Sequence, residues 1–153
     1  MKVDEVMNRT VYTCKPNDSL KEATQLLWTH DIGCLVVTDE AGKATGMVTD
    51  RDLLMCTHLS GRGLHEEIVS SAMSKQLYAV RAGESVQAAE ALMQSKQVRR
   101  LAVIGPEGRV VGVLSLNDLA LAAGKKKDVR PEDVAAILAS ICQPRPTSAT
   151  ARG

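Results

Sequence analysis

Residues 6–54 can be laid over residues 72–120 at a constant offset of 66 without a gap. Eleven of the 49 aligned positions are identical: Met7/Met73, Tyr12/Tyr78, Ser19/Ser85, Ala23/Ala89, Leu26/Leu92, Leu35/Leu101, Val37/Val103, Gly42/Gly108, Gly46/Gly112, Asp52/Asp118 and Leu53/Leu119. They fall at turns, helix starts and apolar positions. Other pairs exchange like for like, as Val48 with Leu114 and Thr49 with Ser115. Such placement marks a tandem duplication, and it constrains the fold more than any other feature of the chain. Whatever one copy forms the other must form too, and a unit of about 50 residues is small for burying a core by itself.

Each copy reads as strand, helix, strand, strand, helix. In the first, residues 10–14 are extended and Pro16, Asn17 and Asp18 turn the chain. Ser19 with Glu22 then makes a capping-box pattern ahead of a helix over residues 19–29, whose apolar stripe is Leu20, Ala23, Leu26 and Leu27. A Val- and Leu-rich strand over 34–38, a turn at Gly42, a strand over 43–48 and a helix from about Asp50 follow. The second copy repeats this order, with Val86, Ala89, Leu92 and Met93 as its first stripe. Three short strands leave an apolar face uncovered, so two units packed face to face should form one continuous core. The fold class expected is α/β (α+β), with an extra C-terminal helix.

The boundaries follow from the repeat. Residues 1–60 are assigned to the first copy, 61–71 to a connector, 72–123 to the second copy, 124–142 to a helical extension and 143–153 to a disordered tail. Pro131 with Glu132 and Asp133 suits a helix start. Val134, Ile137, Leu138 and Ile141 share one face of that helix, for packing on the repeat body or on a second subunit.

Composition narrows the partners. Nineteen basic and eighteen acidic residues give a net charge of +1, which makes no global electrostatic case for nucleic acid or an anionic membrane. One Trp, two Tyr and no Phe leave an aliphatic core. The opening residues MKVDEVMNRT carry charges where a signal peptide has its apolar stretch, and no run approaches the roughly 18 apolar residues of a membrane span. The expectation is a cytoplasmic chain without membrane contact. The four cysteines are far apart and form no CxxC, as in a protein with free thiols. Cys56 and His58, two apart on a helix, face different ways, so no metal site is expected. His30, His58 and His65 fall in no nucleophilic arrangement, Asp50 and Asp52 make a poor acid/base pair, and neither GxGxxG nor GxxxxGK[ST] occurs. Catalysis is not expected.

The most informative local pattern occurs twice: Gly46-Met-Val-Thr49-Asp-Arg-Asp52 and Gly112-Val-Leu-Ser115-Leu-Asn-Asp118. An apolar strand runs from a glycine into a helix with a hydroxyl residue at its cap and an aspartate three positions on. Two readings stand. The hydroxyl and carboxylate can simply satisfy unpaired backbone donors, with the glycine marking a bulge or close approach. Alternatively, the helix start can receive a phosphate, with Thr49 or Ser115 adding a hydroxyl, Asp52 or Asp118 accepting from ribose hydroxyls, and Gly46 or Gly112 letting a ligand approach the backbone. Arg51 is the nearest cation to the first site, whereas the second has Asn117 there.

With these motifs in view, residues 1–123 resemble a tandem pair of CBS domains, often called a Bateman module. The resemblance is carried by the gapless duplication, by "GMVTDRDL" with its partner "GVLSLNDL", and by Met7 and Met73 before each first strand. It implies two repeats related by a pseudo-two-fold, with clefts that in many members bind an adenine nucleotide. By motif position, Asp52 and Asp118 would hold ribose, Thr49 and Ser115 would lie at ribose or phosphate, and Arg51 near phosphate. The strands around Val11 and Thr13, and around Leu77 and Ala79, would flank the base. So would Ile32, Gly33 and Cys34, with Val98, Arg99 and Arg100 as their counterparts. Thr13 becomes Ala79 and Arg51 becomes Asn117 in the second copy, so the two clefts need not be equally competent. Arg99 or Arg100 could supply charge to one cleft or obstruct it.

The resemblance implies no required cofactor. It implies an adenosine-containing ligand (AMP, ADP or ATP, with S-adenosylmethionine or NAD as further candidates), a homodimer and an effector protein that reads occupancy. Leu53, Leu54, Leu119 and Ala123 could cover an interface as readily as an internal core. The alternative is a ligand-free structural or protein-interaction module acting through dimerisation. Nucleic-acid binding through Lys125, Lys126, Lys127, Arg99 and Arg100 has no aromatic platform to support it.

Overall fold

Local signals set the elements of the computed structural model, which describes residues 1–125 and 128–144. Strand β1 (Thr13–Cys14), helix α1 (Leu20–Thr29), strands β2 (Cys34–Thr38) and β3 (Ala44–Thr49) and helix α2 (Asp50–Ser60) make the first repeat. A short helix α3 (Val69–Ala72) precedes β4 (Ala79–Arg81), α4 (Val86–Lys96), β5 (Arg100–Ile104), β6 (Val110–Ser115) and α5 (Leu116–Ala123), and α6 (Pro131–Cys142) closes the chain. Each repeat has its own sheet, β1-β2-β3 or β4-β5-β6, with a parallel first pair and an antiparallel second pair. Gly42 and Gly108 turn the two hairpins at φ of +78° and +76°, a backbone region that penalises any β-carbon. Among the described residues no helix is long and apolar enough to cross a membrane. Lys126, Lys127 and the tail beyond residue 144 lie outside the described residues.

The core departs from the single continuous one expected. Buried residues form two clusters, because each sheet packs its own helices on one face. The first gathers Leu20, Ala23, Leu27, Leu35, Val37, Val48 and Leu53, and the second Val80, Val86, Ala89, Met93, Leu101, Val103, Leu114 and Leu119. Val36 and Ala102 alternate with these along their strands, point the other way and are equally buried, so both sheet faces are covered.

The repeats are bound crosswise. Val3 and Met7, which precede the first repeat, belong to the second cluster, while Val69 and Met73 pack in the first. The Val3 N–H donates to the Glu84 carbonyl (2.9 Å), and Asn8 exchanges both backbone bonds with Val113 (2.9 and 3.0 Å). The equivalent Ser74 N–H donates to the Met47 carbonyl (2.9 Å). The connector is also used: Leu20 and Lys21, whose N–H groups open α1 without intrahelical partners, donate to the carbonyls of Glu67 (3.0 Å) and Leu64 (2.9 Å).

The extra helix α6 lies on α4 and α5. Val134, Ile137 and Ile141 join the second cluster, so the stripe packs on the repeat body, while Leu138 sits at its edge, half exposed. The Gln97 side chain donates to the Ser140 carbonyl (2.7 Å) and Gln87 to that of Asp128 (3.1 Å).

Glu90 on α4 is buried, and among the described residues its Oε1 has no hydrogen-bond partner. Burial first, and then Asp133, hold its carboxyl above the ordinary glutamate value of 4.5, against a smaller opposing pull from Arg130. A folded-state pKa raised above the unfolded one gives a contribution that is full at acid pH and lost as pH rises through the folded value. Glu90→Gln is therefore expected to raise stability at pH 7 by about 1 kcal/mol and to change it little near pH 4. Urea unfolding at the two pH values checks this, and an equal gain at both would show that charge is not the cause.

Candidate ligand-binding clefts

At each strand-to-helix junction no residue intervenes: Thr49 ends β3 and caps α2, and Ser115 ends β6 and caps α5. Both capping boxes are complete. The Asp52 N–H donates to Thr49 Oγ1 (3.2 Å), while the Thr49 N–H and hydroxyl both donate to Asp52 Oδ2 (2.8 Å each). Around Ser115 and Asp118 the same three bonds measure 3.3, 2.8 and 2.6 Å. The capping role is therefore real at both sites. Each carboxylate spends only Oδ2 on it, and among the described residues Oδ1 takes no hydrogen bond.

Sheet register brings the other expected segments to these junctions. Cys34 pairs with Thr49, and Arg100 with Ser115. Thr13 pairs with Val36, and the Val36 N–H donates to the Tyr12 carbonyl (3.4 Å), which puts Val11 level with the start of β2. Val11, Ile32, Gly33, Cys34, Thr49 and Asp52 thus share one end of the first sheet, all half-buried, with Thr13 and Arg51 exposed beside them. Leu77, Ala79, Val98, Arg100, Ser115 and Asp118 share the matching end of the second sheet, with Arg99 exposed.

Gly46 and Gly112 are each approached closely by the chain itself. A β-carbon on Gly46 would lie 2.5 Å from Met73 Cε and 2.6 Å from the Ser74 carbonyl oxygen. On Gly112 it would lie 2.5 Å from Met7 Sδ and 3.0 Å from the Asn8 oxygen. The space in front of each glycine is filled by the chain that leads into the opposite repeat, the close backbone approach that was one of the two readings of these glycines.

Arg100 supplies an asymmetry that sequence could not orient. Its guanidinium reaches across to the first repeat, where a β-carbon on Gly33 would lie 2.9 Å from Nη2. It makes no hydrogen bond or ion pair among the described residues. Burial pushes the neighbouring Cys34 thiol up, against an opposing effect of Arg100 and with a further upward push from Asp50. Arg100 thereby comes from the opposite repeat to the sheet end where Arg51 follows Thr49 by two residues. Their counterparts at the offset of 66 are Asn117 and Cys34. The other thiols are unbridged as well, and burial, followed by Asp18, raises Cys14 to about 12, which leaves it unreactive.

A cavity of about 360 Å³ lies at the hairpin end of the first sheet, and of the expected site residues only Thr13 reaches it. Lys15 and Arg109 line it from opposite repeats, and the Lys15 ammonium donates to the Asp39 carbonyl (2.5 Å). The sequence signal for these two was available but unused: the 66-residue offset keeps a cation at both, Lys15 with Arg81 and Lys43 with Arg109.

Comparison with known proteins agrees with this geometry. The profile of the CBS domain matches residues 3–57 and 68–125. The chain belongs to the CBS-domain family. Among curated relatives, the CBS domain-containing protein YhcV of Bacillus subtilis is 34% identical over 119 residues, covering 78% of this chain and 83% of that protein. Among solved structures, Hypoxic Response Protein I with two coordinated zinc ions is 30% identical with a TM-score of 0.72, covering 79% of this chain and 98% of that one. CBSX2 in complex with AMP is 26% identical with a TM-score of 0.72, covering 82% and 98%. In this CBS pair, among the described residues, no three His, Cys, Asp or Glu side chains converge as a metal site would need.

Proposed function

We propose that this CBS pair is a regulatory module that binds an adenosine-containing nucleotide, chiefly at the first cleft, and transmits occupancy to a partner. The observation that carries the reading is the half-buried Arg100 guanidinium over Gly33, at the same sheet end as Asp52; among the described residues neither that guanidinium nor Asp52 Oδ1 has a hydrogen-bond partner. A carboxylate oxygen accepts from vicinal ribose hydroxyls, and a guanidinium pairs with phosphate in two parallel bonds. The AMP held by CBSX2 supports the ligand class. Family membership favours regulation over catalysis, and transmission requires a ligand that binds one arrangement of the module better than another. The reading includes a homodimer and an effector protein.

Native mass spectrometry of the purified protein, followed by calorimetric titration with AMP, ADP, ATP, S-adenosylmethionine and NAD, tests it. One nucleotide per chain, with saturable heat for at least one compound, is expected. Silence toward all five would overturn the reading in favour of the ligand-free interaction module.

A further inference from the structure

The two hairpins meet near their turns. Lys43 and Arg109 form an antiparallel bridge, and the Val110 N–H donates to the Gly42 carbonyl (3.3 Å). The cavity of about 360 Å³ beside this junction lies at the opposite end of the sheets from Thr49 and Ser115, away from both expected clefts.

Thr38, the last residue of β2, lines this cavity although only 4% of its surface is exposed. Val37 beside it packs in the first cluster, so strand alternation turns Thr38, with Val36 and Thr13, to the sheet face away from the helices. Among the described residues the Thr38 hydroxyl makes no hydrogen bond. A hydroxyl withdrawn from bulk water without a partner costs stability. The strand does not demand it, since the counterpart at the offset of 66 is Ile104. Thr13, the second hydroxyl at the cavity, has Ala79 as its counterpart. Both hydroxyls therefore belong to this junction alone and not to its image in the duplication.

Charge indicates the occupant. Lys15 and Arg109 line the cavity from opposite repeats, and Glu40, exposed at the rim, is the one acid among the lining residues. The Lys15 ammonium gives one of its three donors to the Asp39 carbonyl. Arg109 has Glu107 at 3.7 Å with both side chains exposed, a pair that contributes little in water. Two hydroxyls and two cations around one cavity suit a tetrahedral oxyanion, which accepts hydrogen bonds from several directions. We propose that the hairpin junction is a binding site for a phosphoryl group. Thr13 and Thr38 donate to it from their hydroxyls, and each repeat supplies one cation. The cavity exceeds what the ion alone fills and leaves room for a small ester. Occupancy ties the two hairpins together, and the site does not rest on the nucleotide reading of the clefts.

Amide-resolved NMR of the full chain, titrated with sodium phosphate against sodium chloride at equal ionic strength, tests it. Saturable shifts are expected at Thr38, Gly42 and Val110. Lys15→Gln and Arg109→Gln should each weaken phosphate about tenfold. Thr38→Val should weaken it similarly, yet melt no lower than the parent without phosphate, because the lost hydroxyl had no partner. Phosphate should raise the melting temperature of the parent but not of the Lys15→Gln/Arg109→Gln double variant. Glycerol 3-phosphate separates the two sources of the group: tighter binding than the inorganic ion assigns the site to a phosphate ester, weaker binding to free phosphate. A response no larger than that to chloride overturns the proposal, as do shifts confined to Thr49 and Asp52. Parental affinity in Thr38→Val overturns it as well. No arm uses an adenosine compound, so failure here is distinct from failure at the clefts.

Discussion

Gly46→Val is expected to destabilise the protein by about 3 kcal/mol, at the upper end of ordinary overpacking costs. The new β-carbon alone would sit 2.5 Å from Met73 Cε and 2.6 Å from the Ser74 carbonyl oxygen. The methionine tip can swing aside. The carbonyl cannot, because the Ser74 backbone is tied to Met47 by a 2.9 Å hydrogen bond. The insertion therefore pushes the segment leading into the second repeat off the first sheet and weakens the burial of Val69 and Met73 with it. A fall in melting temperature of about 10 °C should follow. Gly83 is the control: nothing lies within 4 Å of its would-be β-carbon, and Gly83→Ala should stay within about 0.5 kcal/mol of the parent. A Gly46→Val melting temperature equal to that of the control would mean that the segment yields without cost.

The second large effect falls on binding. Asp52→Ala removes a carboxylate that completes the α2 cap and that the proposed function assigns to the ligand's ribose. Loss of the cap should cost about 1 kcal/mol of stability. Loss of charged hydrogen bonds to ribose should weaken the nucleotide at least about 30-fold. Asp118→Ala separates the two effects, since its capping box matches that of Asp52 within 0.2 Å bond for bond. It should cost the same stability yet, under the proposal that the nucleotide sits chiefly at the first cleft, change affinity far less. Urea unfolding and calorimetry on the two variants give the comparison. Equal losses of affinity would remove the distinction between the clefts.

What the sequence disclosed was local. Ser19 with Glu22, Thr49 with Asp52, and Ser115 with Asp118 mark helix starts within four residues, and all three capping boxes form. Pro131 fixes the start of α6 in the same way, and Gly42 and Gly108 occupy the left-handed turns. Even the crowding of Val11, Cys34 and Thr49 at one sheet end follows from hairpin register once the strands are known.

The features that escaped depend on contacts between the copies. No pattern within a dozen residues of Gly46 announces Met73, so the sequence left its glycine open between a close backbone approach and a ligand's approach. The side chain of Arg100 lies against Gly33 of the other repeat, and its backbone neighbours could not reveal that. The division of the core into two clusters has another origin, within each copy, since it depends on which face of each sheet its own helices cover. Leu54 and Leu53 are adjacent and chemically alike, yet one faces water and the other is buried, a difference set by the packing of α1 on α2.

The exchange of leading segments carries a consequence for the history of the chain. A freshly duplicated pair could in principle lose either half and return to its ancestor. Once Met7 fills the space at Gly112 and Met73 the space at Gly46, each half carries a part that only the other can use. From then on a larger side chain at either glycine presses on a methionine that leads into the opposite copy. The two halves remain alike enough to align without a gap, but neither is spare.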